Sequence, residues 1–347
     1  MHSNPIPFLL SPAGKDYLWG GDRLKSDFHK QLNISPLAET WECSTHPDGV
    51  SLIDSGIYRG KPLDIVLREH PEYLGRHPLA IIREANDGVE TAIELPVLIK
   101  LIDARQKLSV QVHPDDEYAK AHENGALGKT EMWYILDAEP GAQLIYGFNT
   151  DMNQEKLAHS LSRGTIEKYL QKISVKKDDI FFTNPGTVHA IGAGILLAEV
   201  QENSNLTYRL YDYDRVDKQG QKRPLHLKKA MEVLNYKSSE NPRQPMRTLR
   251  YRPGYASELL GRCKYFQVER ILINTAEPVQ SDRDYAQLPD CTTDEVSFRV
   301  LLCVEGQGRL NTREETLPFV KGSCIFLPAG SAPCRLQGKA QLLQVSC

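Results

Sequence analysis

The 347-residue sequence has no long hydrophobic run, no paired-cysteine motif and little net charge. Its longest apolar stretches, such as Ile195–Val200 and Val300–Val304, fall far short of the ~18 consecutive residues a membrane-spanning helix needs. The opening residues Met1-His2-Ser3-Asn4-Pro5 lack the basic region and apolar core of a signal peptide. A formal charge of −3 argues against nucleic acid as a partner. The seven cysteines show no CxxC spacing, and their odd number favours reduced, mostly buried thiols in the cytoplasm over a disulfide framework. There is no GxGxxG or Walker-type loop, so no nucleotide is implied, and no tight metal motif such as HExxH.

Histidine is absent from the C-terminal third. All ten lie between His2 and His226, whereas six of the seven cysteines lie from Cys263 onward. Any metal chemistry therefore falls to imidazole and carboxylate in the first two thirds. The length suggests about two domains. The coarse pattern is mainly β: Leu95–Ile102, Leu108–Val112, Glu131–Leu136, Gln143–Phe148, Asp179–Thr183 and Gly194–Gln201 read as strands. Helical segments are expected at 61–69 and at about 115–125, 153–173 and 225–235, the third broken at Arg163-Gly164. Residues 238–245 read as a linker. From Tyr265 short strands follow one another, with turns at Val304–Leu310 and Leu327–Gly330. The segments Asp179–Ala190 and Lys321–Pro333 share a strand followed by a Pro-Gly or Pro-Ala-Gly turn, which suggests two related β units. The expected architecture is two jelly-roll or β-sandwich units with helical insertions in the first, spanning 1–240 and 241–347.

Gln111 and His113 lie two apart on a predicted strand and so share a face. Glu131 opens another strand after Gly128-Lys129-Thr130, and His189 follows the turn Asn184-Pro185-Gly186-Thr187. Together they form a mixed nitrogen and oxygen donor set for Zn²⁺ with a position left open. Taken singly, each imidazole reads first as a hydrogen-bonded structural residue and Glu131 as a solvated carboxylate. A second cluster runs from Glu199 to Arg215: Glu199 and Gln201 share a strand face, and Arg209 and Arg215 stand among tyrosines. Guanidinium suits bidentate phosphate or a developing oxyanion, although ordinary ion pairs at a strand end fit as well.

The segments Trp19-Gly20-Gly21, Glu39–Gly49, Leu98–Ala104, Leu108–Asp116 (with Gln-Val-His-Pro-Asp), Gly128–Trp133, Pro185–Ile191 (Pro-Gly-Thr-Val-His-Ala-Ile) and Thr207–Arg215 resemble, in order, those of the type I mannose-6-phosphate isomerases, most closely their shorter bacterial branch. The resemblance spans about residues 17–215. It implies a cupin-type enzyme that interconverts mannose 6-phosphate and fructose 6-phosphate through a cis-enediol, with one Zn²⁺ per chain. The family's zinc ligands fall on Gln111, His113, Glu131 and His189, and its catalytic arginine on Arg209. Lys100 and Lys129 match pocket lysines, Glu199 matches an acidic residue preceding the arginine, and Arg215 supplies charge for the phosphate. Glu199, Lys129 and a metal-bound water all stand as proton carriers. One departure is Asn203-Ser204-Asn205, with an amide at 205 where the family shows an acid. A non-catalytic sugar-phosphate-binding cupin and an Fe²⁺ oxygenase on the same fold are the alternatives. The expected partner is a small sugar phosphate, with no membrane, and the chain acts as a monomer or homodimer.

Overall fold

A computed structural model of the chain describes residues 4–85, 93–216, 219–242, 244–275 and 282–347. Three sheets lie in layers. The middle one has the strand order Ile180–Thr183, Glu131–Ala138, Ile195–Glu202, Val97–Ala104, Glu39–Cys43 and Ala13–Lys15. Against one face lies a five-stranded sheet ordered Tyr208–Tyr211, Val110–Val112, His189–Ala190, Gln143–Phe148 and Leu170–Ser174. The other face meets a nine-stranded sheet built mainly from residues 250–346.

Strand periodicity explains the layering. Every residue of Val97–Ala104 and Ile195–Glu202 is buried, because the middle sheet is covered on both sides. Ile99, Leu101, Met132, Tyr134, Leu196, Ala198 and Val200 face the nine-stranded sheet and pack with Phe8, Phe298, Phe326 and Leu343. The alternate residues face the five-stranded sheet, and they change character along each strand. Ile102, Ile135 and Leu197 join Trp19, Trp133, Leu144, Phe181 and Ile191 in an apolar floor. Further along the same faces come Lys100, Glu131, Glu199 and Gln201, all buried. Each strand thus runs from apolar floor to polar site. The outer face of the five-stranded sheet is covered by the helices Gln154–Ser162 and Leu227–Val233, through Leu157, Ala230 and Leu234.

The N-terminal strand Phe8–Ser11 pairs with Cys324–Leu327 and with Leu52–Ile53, so it belongs to the C-terminal sheet. The buried Lys30 ammonium adds another link, 2.5 Å from Glu42 and donating to the Gly322 carbonyl at 2.5 Å. No helix among the described residues is long and apolar enough to cross a membrane.

Three expectations are corrected. The helical reading of 153–173 holds only for Gln154–Ser162; Gly164, at φ +64°, ends it, and after one 3₁₀ turn Leu170–Ser174 is a strand paired with Gln143–Phe148. There the cross-strand partner overrides the helical spacing of Leu170 and Ile173. The turn expected at Val304–Leu310 is the middle of one 13-residue strand, Arg299–Asn311. Its glycines serve a bulge after Cys303 and a close strand approach, since a Cβ on Gly308 would lie 2.4 Å from the Gln337 carbonyl oxygen. The C-terminal strands also begin earlier than Tyr265, with Arg250–Arg252 and Tyr255–Arg262. The helices Arg76–Ala85 and Asp282–Gln287 carry no sequence expectation.

Candidate metal centre and active site

Two strands of the five-stranded sheet and one of the middle sheet converge on a single point. Gln111 and His189 are register partners, and Arg209 is the partner of Gln111 on its other side. Across the sandwich, Glu131 is paired with Gln201, and Lys100 with Glu199. His113, Glu131 and His189 offer ligand atoms that all lie within 4.8 Å of one another, and all three residues are buried. The two Nε2 atoms are 3.1 Å apart; Glu131 Oε1 is 3.2 Å from His113 and Oε2 is 3.6 Å from His189. Gln111 Nε2 is 3.3 Å from His189 Nε2, and turning the amide over presents its oxygen at the same place.

The ring orientations come from behind. His113 Nδ1 donates to the Leu206 carbonyl at 2.7 Å and His189 Nδ1 to the Thr187 carbonyl at 2.8 Å. Each imidazole therefore turns an unprotonated Nε2 inward. Burial, reinforced by the Lys129 charge, pushes His113 down to about 3, and burial also lowers His189, so both rings are neutral at neutral pH. Burial works against the charge on Glu131, but the Lys129 charge holds it well below the usual carboxylate range. Among the described residues its Oε2 has no hydrogen-bond donor, and its Oε1 meets the Lys129 ammonium. Two lone pairs 3.1 Å apart beside an unsatisfied buried carboxylate form a donor set that fits a cation.

The residues expected around this centre fall into two groups. Lys129 Nζ lies 2.9 Å from Glu131 Oε1. Lys100 Nζ lies 3.1 Å from Glu199 Oε2 and 3.9 Å from Glu39. Burial opposes the ammonium of Lys100, and Glu199, Glu39 and Glu131 outweigh it, so its pKa lies above the ordinary lysine value. Burial and the Glu131 charge push Glu199 up, against the pull of Lys100 and Lys129. Trp133, stacked edge-on against His189, donates its indole N–H to Glu199 at 2.7 Å.

Arg209 stands apart from the carboxylates. Its Nε donates to Ser109 Oγ at 3.3 Å and Nη1 to the Pro224 carbonyl at 2.8 Å, and among the described residues it forms no ion pair. Burial and the nearby Arg223 charge lower its pKa. Arg215 is tied to Asp212, to the Lys107 carbonyl at 2.5 Å and over the Tyr213 ring, and Arg223 shares Asp212. Asn205 donates its amide to Asp48 at 2.7 Å, so a carboxylate stands opposite the position where the sequence has an amide.

Sequence reasoning gave no role to Glu39, although Glu39 and Trp41 lie two apart on a strand and the Trp41 indole donates to Glu39 at 2.8 Å. The same period-2 argument that joined Gln111 to His113 puts Glu39 on the face of Trp41, the register partner of Lys100. The carbonyls of Leu206 and Thr187 carry no sequence signal.

Comparison with known proteins agrees with this geometry. Residues 8–141 match the family model "Phosphomannose isomerase type I, catalytic domain", and residues 257–347 match "Mannose-6-phosphate isomerase, cupin domain". The chain is 36% identical over 340 residues to the mannose-6-phosphate isomerase ManA of Bacillus subtilis, covering 97% of this chain and 98% of that one. It is 34% identical to the mannose-6-phosphate isomerase of Streptococcus mutans, with 97% of each covered. The crystal structure of the mannose 6-phosphate isomerase from Bacillus subtilis superposes with a TM-score of 0.83 at 32% identity, over 98% of this chain and 99% of that one. With matching models over both ends and relatives aligned along almost the whole length, the chain belongs to the type I phosphomannose isomerase family.

Proposed function

We propose that the chain interconverts mannose 6-phosphate and fructose 6-phosphate, using one zinc ion held by Gln111, His113, Glu131 and His189. The observation that carries the metal is the convergence of the buried Glu131 carboxylate, its Oε2 without a hydrogen-bond donor among the described residues, on two inward-facing Nε2 atoms. Borderline-soft Zn²⁺ suits neutral imidazole and carboxylate or amide oxygen, and the open position leaves room for a substrate oxygen. When bound, zinc supplies a Lewis acid beside the C1 and C2 oxygens, lowering the cost of negative charge on them.

The remaining work belongs to the chain. The reaction moves one proton between C2 and C1 through a cis-enediol, so a group must accept it from one carbon and return it to the other. Glu199 is assigned this part: its carboxyl is buried, burial and the Glu131 charge raise its pKa, and its Oε1 is fixed by the Trp133 indole. Lys129, held at Glu131, faces the developing oxyanion together with Arg209, whose guanidinium has no carboxylate to neutralise it among the described residues. Lys100 and Arg215 bind the phosphorylated substrate, with Arg223 adding charge beside Arg215. The basic groups and the amide ligand weigh against an oxygenase.

The test is conversion of mannose 6-phosphate by zinc-loaded protein in ²H₂O, followed by NMR. Fructose 6-phosphate carrying deuterium at C1 is the expected product, from exchange of the transferred proton with solvent. No conversion by fully loaded protein would overturn the reading.

A further inference from the structure

The segment Gly128-Lys129-Thr130, which delivers Lys129 and then Glu131 to the site, has an unusual support. The Gly128 N–H donates to Asp116 Oδ1 at 2.9 Å and the Thr130 N–H to Glu202 Oε1 at 2.6 Å. The backbone on both sides of Lys129 thus hangs from two carboxyl groups. The Lys129 N–H itself donates to the Pro114 carbonyl at 3.0 Å. Burial and the nearby Asp116 charge push Glu202 up, which marks the two carboxyl groups as close neighbours behind the segment. Their other contact leads out of the first unit: Tyr265 Oη, in the tight turn between Tyr255–Arg262 and Gln267–Asn274, donates to Asp116 Oδ2 at 2.6 Å. That turn is itself fixed by Cys263, whose N–H donates to the Phe266 carbonyl at 2.9 Å.

Hydrogen bonds and one close backbone contact fix this buried segment's place. Ala126 and Leu127, just before it, border a cavity of about 530 Å³ that Asp116, Glu202 and Tyr265 also line. Gly128 lies so close to Asp115 and Asp116 that a Cβ would fall 2.4 Å from the Asp115 carbonyl carbon, so the backbone hydrogen bond at Asp116 depends on that close approach.

We propose that Tyr265, reaching across from the C-terminal unit, positions Lys129 for the reaction through Asp116, Glu202 and the backbone of Gly128 and Thr130. The His-free unit then has a part in the chemistry without touching substrate. Tyr265, Asp116 and Glu202 are positioning residues, and the inference rests on the role assigned to Lys129 above.

A double-mutant cycle tests it. The variants Tyr265→Phe, Lys129→Met and their combination are compared for kcat, for KM towards mannose 6-phosphate and for zinc content, with the slow turnover of the Lys129 variants read by NMR over hours. Tyr265→Phe is expected to lower kcat three- to tenfold, to change KM less than twofold and to keep its zinc. In the Lys129→Met background the same change is expected to cost less than a further 1.5-fold. Asp116→Asn, which keeps an acceptor for the Gly128 N–H and a partner for Tyr265, is expected to retain more than half of the wild-type kcat where Asp116→Ala loses most of it. Equal losses from Tyr265→Phe in both backgrounds, or no loss in the wild type, would overturn the inference while leaving the lysine's role intact. Unchanged kcat in Lys129→Met would instead remove the lysine from the mechanism, and this inference with it.

Discussion

His113 and His189 are aimed from behind by backbone carbonyls, so each presents an unprotonated nitrogen to the point that Glu131 also faces. Removing one imidazole breaks the donor set. His113→Ala should lose its metal, as measured by elemental analysis of the purified protein; a full zinc equivalent in the variant would contradict the assignment. Arg209 sits on the same strand row but outside that set. Arg209→Ala should keep its zinc while kcat falls roughly 10²- to 10³-fold, the range expected when a preorganised donor to an oxyanion is removed. An unchanged rate would take Arg209 out of the mechanism. At this scale the sequence was readable wherever two site residues lie two apart on one strand, as Gln111 and His113 do. It was silent where one partner is a carbonyl from a distant turn, as with Leu206 O, 93 residues from His113. Asn205 is the instructive case. Read alone it is an acid lost, yet in space it meets Asp48, and two carboxylates there would repel each other.

Single strands carry the change from floor to site. Ile102 and Lys100, Ile135 and Glu131, Leu197 and Glu199 are same-face pairs on three adjacent strands, which puts the polar residues on one level above an apolar floor. This alternation was legible for Leu108–Val112. It was hidden at Leu170–Ser174, where two apolar residues three apart fit a helix as well as a strand and only the neighbouring strand decides. The strand end at Glu202 makes a pH prediction. Burial, followed by the Asp116 charge, pushes Glu202 up to about 8, and Tyr265 and Cys263 also face it. Between the ordinary carboxylate range and about pH 8 the folded protein holds a proton that the unfolded chain has released. Stability should therefore fall as pH rises through that window, by up to about 1.4 kcal/mol per pH unit from this group. Glu202→Gln, which needs no proton to stay neutral, should lose that slope in urea unfolding compared at pH 6 and pH 8.5. Parallel slopes for variant and wild type would contradict it.

The molecule is less divisible than its sequence suggests. The change from histidine-bearing to histidine-free chain after His226 marks where the site ends, but the hydrophobic layer beneath the site is shared. Phe8 is stacked on Phe326 with ring centroids 5.3 Å apart, and Val97, Ile99 and Leu101 pack on the sheet that holds Phe298 and Leu343. A fragment ending at residue 240 would expose that face and leave Phe8–Ser11 without its partner Cys324–Leu327. It should be insoluble or fail to unfold cooperatively; a soluble, zinc-binding fragment would contradict this. The buried Lys30–Glu42 pair adds to the join, and Glu42→Ala should cost about 3–5 kcal/mol in global unfolding, because it strands a buried ammonium. No local motif announces such joins, since Phe8 and Phe326, or Lys30 and the Gly322 carbonyl it also meets, lie hundreds of residues apart. What links the whole fold to the reaction is the donor set of His113, Glu131 and His189. The most direct measurement is a zinc titration of metal-stripped protein, reading conversion of mannose 6-phosphate at each step. The rate should rise linearly from near zero and break at one zinc per chain. Full activity without metal, or none at one bound zinc, would contradict it.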